Sequence, residues 1–319
     1  MKLVILERNS VGTDVDVSCF EKFGEVTCYP NTVAANTSER VKDADIILAN
    51  KAPLNESTLK DAPNVKLICL LATGFDNVDL AYCKSRSIKV TNVVNYCTST
   101  VAQHTLLLAL ALSEKIAFYD DYVKSGAYSA QDRFSNFDRT FYDLEGKTWG
   151  IIGMGTIGRR VAGLAQAFGC RVIFYSASGK STCTDYKRVE FDTLLQESDI
   201  LSLHCPLSDR TRGLINKDAL SKMKETAILV NVARGPVVDT RALCDALVTD
   251  RIAGAGLDVL EQEPMAKDNP LARIKDSSKL IITPHMAWAS LESRTRLVDE
   301  VVKNIEAFLA GENRNVVNL

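Results

Sequence analysis

The chain has 319 residues, enough for two domains of ordinary size, and its 46% hydrophobic and 24% charged content is that of a globular protein. A formal net charge of -2 supplies no basic field for nucleic acid or anionic lipid, and no apolar run reaches the ~20 residues that cross a bilayer. Nine cysteines without C-x-x-C spacing, beside three histidines, argue against a metal cage and read as reduced thiols of a cytoplasmic protein.

The start, Met1 to Glu7, turns charged at once and reads as a first buried strand rather than a signal peptide. Residues 1 to about 95 then alternate short apolar runs with polar or helical segments. Leu3–Leu6, Val26–Tyr29, Ile46–Leu48, Leu67–Leu71 and Val90–Asn92 are predicted strands, with helical segments such as Cys19–Phe23 and Thr58–Ala62 between them. This alternation implies a parallel, doubly wound sheet, here without a phosphate fingerprint. Ligands of such sheets gather at the carboxyl ends of strands. That directs attention to Asn50, Lys51 and Ala52 and to Ala72–Asn77, both expected to present exposed backbone N–H groups or polar side chains.

Thr98 to about Val123 reads as one long helix, capped by Ser99 or Thr100, with Val101, Leu106, Leu110 and Ile116 at helical spacing. Leu106–Leu112 makes it apolar on more than one face, which suggests burial at a domain junction or a subunit interface. His104 on this helix reads as a packed or capping histidine. Ser125–Asp143 is polar and aromatic without a period, an extended arm or loop.

Thr148–Ile152 is a short strand-favouring run, followed at once by Gly153, Gly155 and Gly158 in G-x-G-x-x-G. Ile157, Val161, Leu164, Ala165 and Phe168 continue at helical spacing, Gly169 stops the helix, and Arg171–Tyr175 is a second strand. A strand, glycine turn, helix and strand in this order suit a dinucleotide, whose pyrophosphate needs bare backbone N–H groups and a helix N-terminus. Gly153, Gly155, Thr156, Ile157 and Gly158 are the candidate pyrophosphate residues. Further predicted strands are Ile200–His204, Ala227–Asn231, Ile252–Leu257 and Leu280–Thr283, with helices at Phe191–Gln196, Ala219–Lys222 and Arg241–Thr249. Leu291–Gly311 is a last helix, with Val298, Val301, Val302, Ile305 and Phe308 on one side. It follows the completed second sheet and is expected to return to the first domain. The fold class is therefore α/β with two doubly wound parallel sheets: a discontinuous, flavodoxin-like substrate domain of residues 1–97 and 288–319, and a Rossmann domain of residues 98–287.

Three polar side chains follow strands of the second half: Arg234, Glu263 and His285. Each alone reads as an ordinary surface, loop or capping residue. Together with a hydride-carrier site they form one coherent device. Asn231–Asp239, Gly256–Pro264 and Thr283–His285 match, in order and spacing, the signature segments of the D-isomer-specific 2-hydroxyacid dehydrogenase family, which the sequence resembles over essentially its whole length. Leu71–Asp79 and Pro284–Ser290 look most like the glycerate dehydrogenase and hydroxypyruvate reductase branch.

The resemblance implies two domains flanking an active-site cleft, a homodimer contacted through the helix after Thr98, and NAD(H) or NADP(H) as cofactor. It implies that His285 is the acid–base group, that Glu263 rather than nearby Glu261 orients it and favours its charged form, and that Arg234 binds the substrate's carboxylate and carbonyl oxygen. It places Asp258 on the nicotinamide carboxamide, and His204, Cys205, Pro206 and Val232 along the cofactor groove, Cys205 as a wall residue. Ala72, Thr73 and Gly74 would receive the substrate carboxylate, with Lys51 and Trp288 as further pocket residues. No metal is implied.

One departure concerns the cofactor. NAD sites usually carry Asp or Glu at the end of the second strand, whereas Tyr175–Lys180 has no carboxylate. Ser176, Ser178 and Lys180 suit a 2′-phosphate, although the site lacks the arginine that usually clamps it, so the reading is dual or NADP-tolerant specificity. The leading function is reduction of hydroxypyruvate or glyoxylate to the D-hydroxy acid. Alternatives are a bulkier aryl or branched substrate, a non-catalytic NAD-sensing corepressor of the same fold, which would favour extra tails, and a formate dehydrogenase, which would want glutamine in place of Glu263.

Overall fold

The apolar runs become strands in a computed structural model that describes residues 1–319. Internal contacts divide the chain into two units, Met1–Cys97 with Ala289–Leu319, and Thr98–Trp288.

In the first unit the strands are β1 (Lys2–Ile5), β2 (Glu25–Cys28), β3 (Ile46–Ala49), β4 (Leu67–Leu70) and β5 (Lys89–Thr91). They pair in the order β2-β1-β3-β4-β5, every pair parallel. This is the flavodoxin-like order of a doubly wound sheet. β3 and β4 are buried along their whole length, as parallel strands covered on both faces must be. Helices at Ala34–Val41, Glu56–Leu59 and Leu80–Ser85 connect the strands, and Ser18–Phe23 is a 3-10 turn. The segment expected as a helix at 58–62 therefore begins two residues earlier and ends at Leu59.

Helix Leu291–Leu309 belongs to this unit and buries Leu297, Val298, Val301 and Ile305. Asn304 is buried beside them and donates through Nδ2 to the carbonyl of Asn92 at 3.0 Å, which ties the helix to the end of β5. The chain beyond it adds an antiparallel bridge between Thr91 and Val316.

The second unit carries β6 (Thr148–Ile152), β7 (Arg171–Tyr175), β8 (Lys187–Arg188), β9 (Ile200–Leu203), β10 (Ile228–Asn231), β11 (Gly254–Leu257) and β12 (Leu280–Ile282). Their order is β12-β11-β10-β9-β6-β7-β8, all parallel. It reverses between β6 and β9, the switch point of a Rossmann sheet, where dinucleotides bind. Trp149, fully buried in β6, donates Nε1–H to Ser202 Oγ at 2.8 Å across that junction. The short strand β8 escaped the sequence reading, since two charged residues carry no apolar pattern.

The helix after Thr98 is not continuous. Thr98–Ser113 ends, Lys115 adopts φ +54°, and Ile116–Lys124 resumes at a 60° bend. No glycine or proline announces this left-handed residue. Thr98–Ser113 lies over β11, where a Cβ on Gly256 would lie 2.9 Å from the Cβ of Leu108, so this glycine makes room for the helix. Leu107 remains 57% exposed on its outer side. Burial is thus one-sided within this chain. No single helix is long and apolar enough to cross a membrane. The arm after Lys124 includes one short helix, Ala127–Ala130.

Candidate active site

The glycine turn after β6 is built for close approach. Gly153 has φ +95°, and a Cβ there would lie 2.7 Å from the backbone nitrogen of Cys205. A Cβ on Gly158 would lie 2.2 Å from the carbonyl oxygen of Gly153. Packing within the protein accounts for both glycines. Gly155 differs: it is exposed, begins helix Thr156–Ala167, and has nothing within 4 Å of its missing Cβ. Open space over a helix N-terminus is what a pyrophosphate requires.

Beside this turn His204 contacts Ser202 Oγ through Nε2 at 3.0 Å, while its buried Nδ1 has no protein partner. Burial pushes the imidazole down to about 3, so the ring is neutral at ordinary pH. Cys205 is buried and its thiol is pushed up to about 11, which makes it an inert wall rather than a nucleophile. Pro206 is exposed and Val232 half-buried in the loops that continue from β9 and β10.

At the end of β7 the structure departs from the sequence reading twice. Ser176 is buried, and its Oγ accepts the Ser181 N–H at 3.3 Å, so it faces the protein; Ser178 and Lys180 remain exposed. An arginine is also present after all: Arg188, on the edge strand β8, donates to the Gly179 carbonyl at 3.1 Å.

Arg234, Glu263 and His285 all lie just beyond carboxyl ends of strands in the same sheet. Asn231 shapes the first loop, accepting the Ala233 N–H and donating to the Arg234 carbonyl, both at 3.0 Å. Arg234 is half-buried, with one guanidinium nitrogen on the Ala233 carbonyl at 2.7 Å. The next residue, Gly235, permits contact with the Glu263 loop: a Cβ there would sit 1.9 Å from the carbonyl carbon and oxygen of Leu260.

Glu263 Oε2 meets His285 Nδ1 at 2.7 Å, and its Oε1 accepts the Leu260 N–H at 2.9 Å. Both carboxylate oxygens are thus committed, which fixes the ring's orientation. Glu261, the competing carboxylate, accepts from the Thr240 hydroxyl instead. His285 has φ +54°, an uncommon conformation for a non-glycine residue, and something must hold it. Asp258 does. Its carbonyl accepts the His285 N–H at 2.8 Å, and its carboxylate accepts from Met286 N, Ala287 N and the Thr283 hydroxyl at 2.8, 2.8 and 2.6 Å. His104 backs Thr283 from helix Thr98–Ser113 at 2.9 Å, and burial lowers its pKa. At 1% exposure Asp258 faces the protein. The side chain anchors the His285 loop, a role that its expected place on a nicotinamide carboxamide did not include. Trp288 ends that loop, half-buried.

In the first unit the 50–52 turn proves already filled. Glu7, buried at the end of β1, accepts the N–H groups of Asn50, Lys51 and Ala52 on its own carboxylate. Of the backbone N–H groups or polar side chains expected there, the N–H groups are taken and the Lys51 side chain is exposed. The turn after β4 differs. The Thr73 hydroxyl donates to the Val93 carbonyl and Asn92 to the Thr73 carbonyl, at 2.7 Å each, while the N–H groups of Thr73 and Gly74 find no protein acceptor. Sequence patterns missed Glu7, Arg188 and the His104–Thr283–Asp258 chain. Only Glu7 left a signal, a charged residue ending a buried strand.

Comparison with known proteins agrees with this geometry. Residues 106–287 match the D-isomer specific 2-hydroxyacid dehydrogenase, NAD binding domain, family. The chain belongs to that family. It is 38% identical to a hydroxypyruvate reductase of Blautia hydrogenotrophica, covering 100% of both chains. It is 40% identical to a glycerate dehydrogenase of Methylorubrum extorquens, over 99% of this chain and 98% of the relative. Its fold superposes on D-lactate dehydrogenase from Aquifex aeolicus, complexed with NAD and lactic acid, with a TM-score of 0.86, 31% identity and coverage of 100% and 99%. The protein is thus a nicotinamide-dependent D-2-hydroxyacid dehydrogenase.

Proposed function

We propose that this dehydrogenase reduces a small 2-oxo acid, hydroxypyruvate or glyoxylate, to the D-2-hydroxy acid with NADH or NADPH. The observation that carries the reading is the 2.7 Å pair of His285 and Glu263, locked on an Asp258-anchored loop beyond the same sheet that bears the glycine turn. The residues at that turn fit the cofactor: the open space over Gly155 suits the pyrophosphate, and the orphaned Nδ1 of His204 awaits a polar partner. When bound, the nicotinamide supplies the hydride.

His285 then provides the proton. Its Nδ1 is held by Glu263, so Nε2 is the nitrogen available to the carbonyl oxygen, as acid in reduction and as base in oxidation. Arg234 offers a planar fork to the carboxylate and polarises the carbonyl. In the first unit, the unpaired N–H groups of Thr73 and Gly74, next to Ala72, suit a carboxylate. Trp288 is assigned to the substrate pocket. An acid–base pair of this kind is superfluous for a purely binding protein, which disfavours the corepressor reading. The names of the two relatives support the small-acid reading.

A homodimer belongs to the same proposal. Leu107, Ile116, Phe134, Phe137 and Phe141 expose large apolar surface that a second copy would cover. The absence of a carboxylate at the end of β7 supports use of both dinucleotides. A panel of 2-oxo acids tests the substrate class. Hydroxypyruvate and glyoxylate should exceed aryl and branched 2-oxo acids by at least about tenfold in kcat/KM, a difference of ~1.4 kcal/mol; the opposite order would overturn the small-acid assignment.

A further inference from the structure

The turn after β7 holds a cation that no sequence motif assigns. β8 is an edge strand of two residues, parallel to β7, and places Arg188 in register with Phe174. From there the guanidinium reaches back over the turn, where one nitrogen donates to the Gly179 carbonyl at 3.1 Å. The other terminal nitrogen lies 3.9 Å from the position of a Cβ on Gly179, whose φ is +73°. A glycine in this left-handed conformation therefore lets the turn fold under the guanidinium without a side chain between them.

The charge balance singles out this arginine. Two carboxylates stand within three residues of it: Asp185 pairs with Arg159 at 3.2 Å, and Glu190 forms no ion pair with Arg188. Arg188 and the exposed Lys180 have no carboxylate partner. A guanidinium carries five N–H donors, and Gly179 uses one, so the fork remains available to an anion. No carboxylate stands between Tyr175 and Thr184 to repel that anion.

We infer that Arg188, assisted by Lys180, receives the 2′-phosphate of an NADP(H) adenine ribose. The inference rests on the dinucleotide reading of the glycine turn proposed above, and makes Arg188 the residue that sets cofactor preference. Arg188 touches neither substrate nor nicotinamide, so its replacement should leave NADH chemistry intact.

Binding titrations on the purified protein test it, read by the fluorescence of the reduced dinucleotide and, independently, by calorimetry with AMP and 2′-phospho-AMP. Arg188→Ala should raise the NADPH Kd at least about tenfold and abolish the advantage of 2′-phospho-AMP over AMP, with the NADH Kd unchanged within about twofold. Arg188→Lys, which keeps the charge without the fork, should fall between. Raising the salt concentration should weaken NADPH binding more than NADH binding in the wild type and equally in Arg188→Ala. The inference fails if Arg188→Ala leaves the NADPH Kd unchanged, or if it weakens both dinucleotides alike, which would mark a distorted edge strand. Wild-type protein that binds NADH but not NADPH would overturn the assignment while leaving the reductase reading intact. Binding of neither would overturn both.

Discussion

Replacing Gly235 by alanine probes whether the Arg234 loop and the Glu263 loop act as one unit. The added Cβ would lie 1.9 Å from the Leu260 carbonyl carbon and oxygen, where ordinary contact begins at 3.4 Å. Neither atom is a flexible side-chain end, so one loop must retreat from the other by about 1.5 Å. Leu260 is also the residue whose N–H fixes Glu263, and through it His285. A displacement near 1 Å at reacting groups costs on the order of 10²-fold in rate. We therefore expect Gly235→Ala to lower kcat/KM for the 2-oxo acid by about two orders of magnitude. Forcing backbone apart in a packed region should also remove about 1–3 kcal/mol of stability. The glycine turn lies on other loops, so the NADH Kd should stay within about threefold. Steady-state kinetics, dinucleotide titration and thermal unfolding on one preparation separate these effects. Activity within threefold of wild type would show that the two loops need not touch, and the geometric argument would collapse.

Other residues give sharper local tests. Asp258→Asn keeps the shape but turns a donor toward a backbone N–H; it should cut kcat by at least about tenfold and leave NADH binding intact, whereas loss of NADH affinity alone would return Asp258 to the cofactor. Glu7→Gln removes the charged acceptor of all three backbone donors and turns an NH2 toward at least one of them; it should destabilise the protein by about 2 kcal/mol or more in a denaturant titration, an unchanged midpoint refuting the capping role. His204 titrates near 3 when folded but near 6.5 when unfolded, so the unfolded chain binds the extra proton between those values. Its contribution is complete above pH 6.5 and declines as the pH falls toward 3. His204→Gln should flatten the acid limb of the stability profile by up to ~1.4 kcal/mol per pH unit, and parallel curves would contradict the burial argument.

The local grammar of the chain was legible where a short pattern determines a short structure. Alternating apolar runs located nearly every strand because a covered parallel strand must be apolar on both faces. Gly153, Gly155 and Gly158 read as a phosphate turn because their spacing is dictated by one strand and one helix. The choice of Glu263 over Glu261 came from the family motif, and the contact with His285 is consistent with it. What stayed hidden depends on partners remote in sequence or on conformations that carry no residue signature. Glu7 reaches donors 43 to 45 residues away, a pairing no window contains. Arg188 arrives at Gly179 on a strand with no apolar residue. Lys115 breaks a helix in the left-handed region, and no glycine or proline marks the turn. Asp258 matched a cofactor position in the motif, which carries no sign that its carboxylate anchors the His285 loop.

The most direct test of the account follows hydroxypyruvate reduction by wild-type protein and by His285→Ala, measuring reduced-dinucleotide consumption and the handedness of the glycerate formed. The account predicts that wild type yields D-glycerate in step with cofactor oxidation. It also predicts that His285→Ala loses most turnover, by about 10²-fold or more, while still binding NADH. Near-normal turnover in the variant, or glycerate of the L form from wild type, would contradict it.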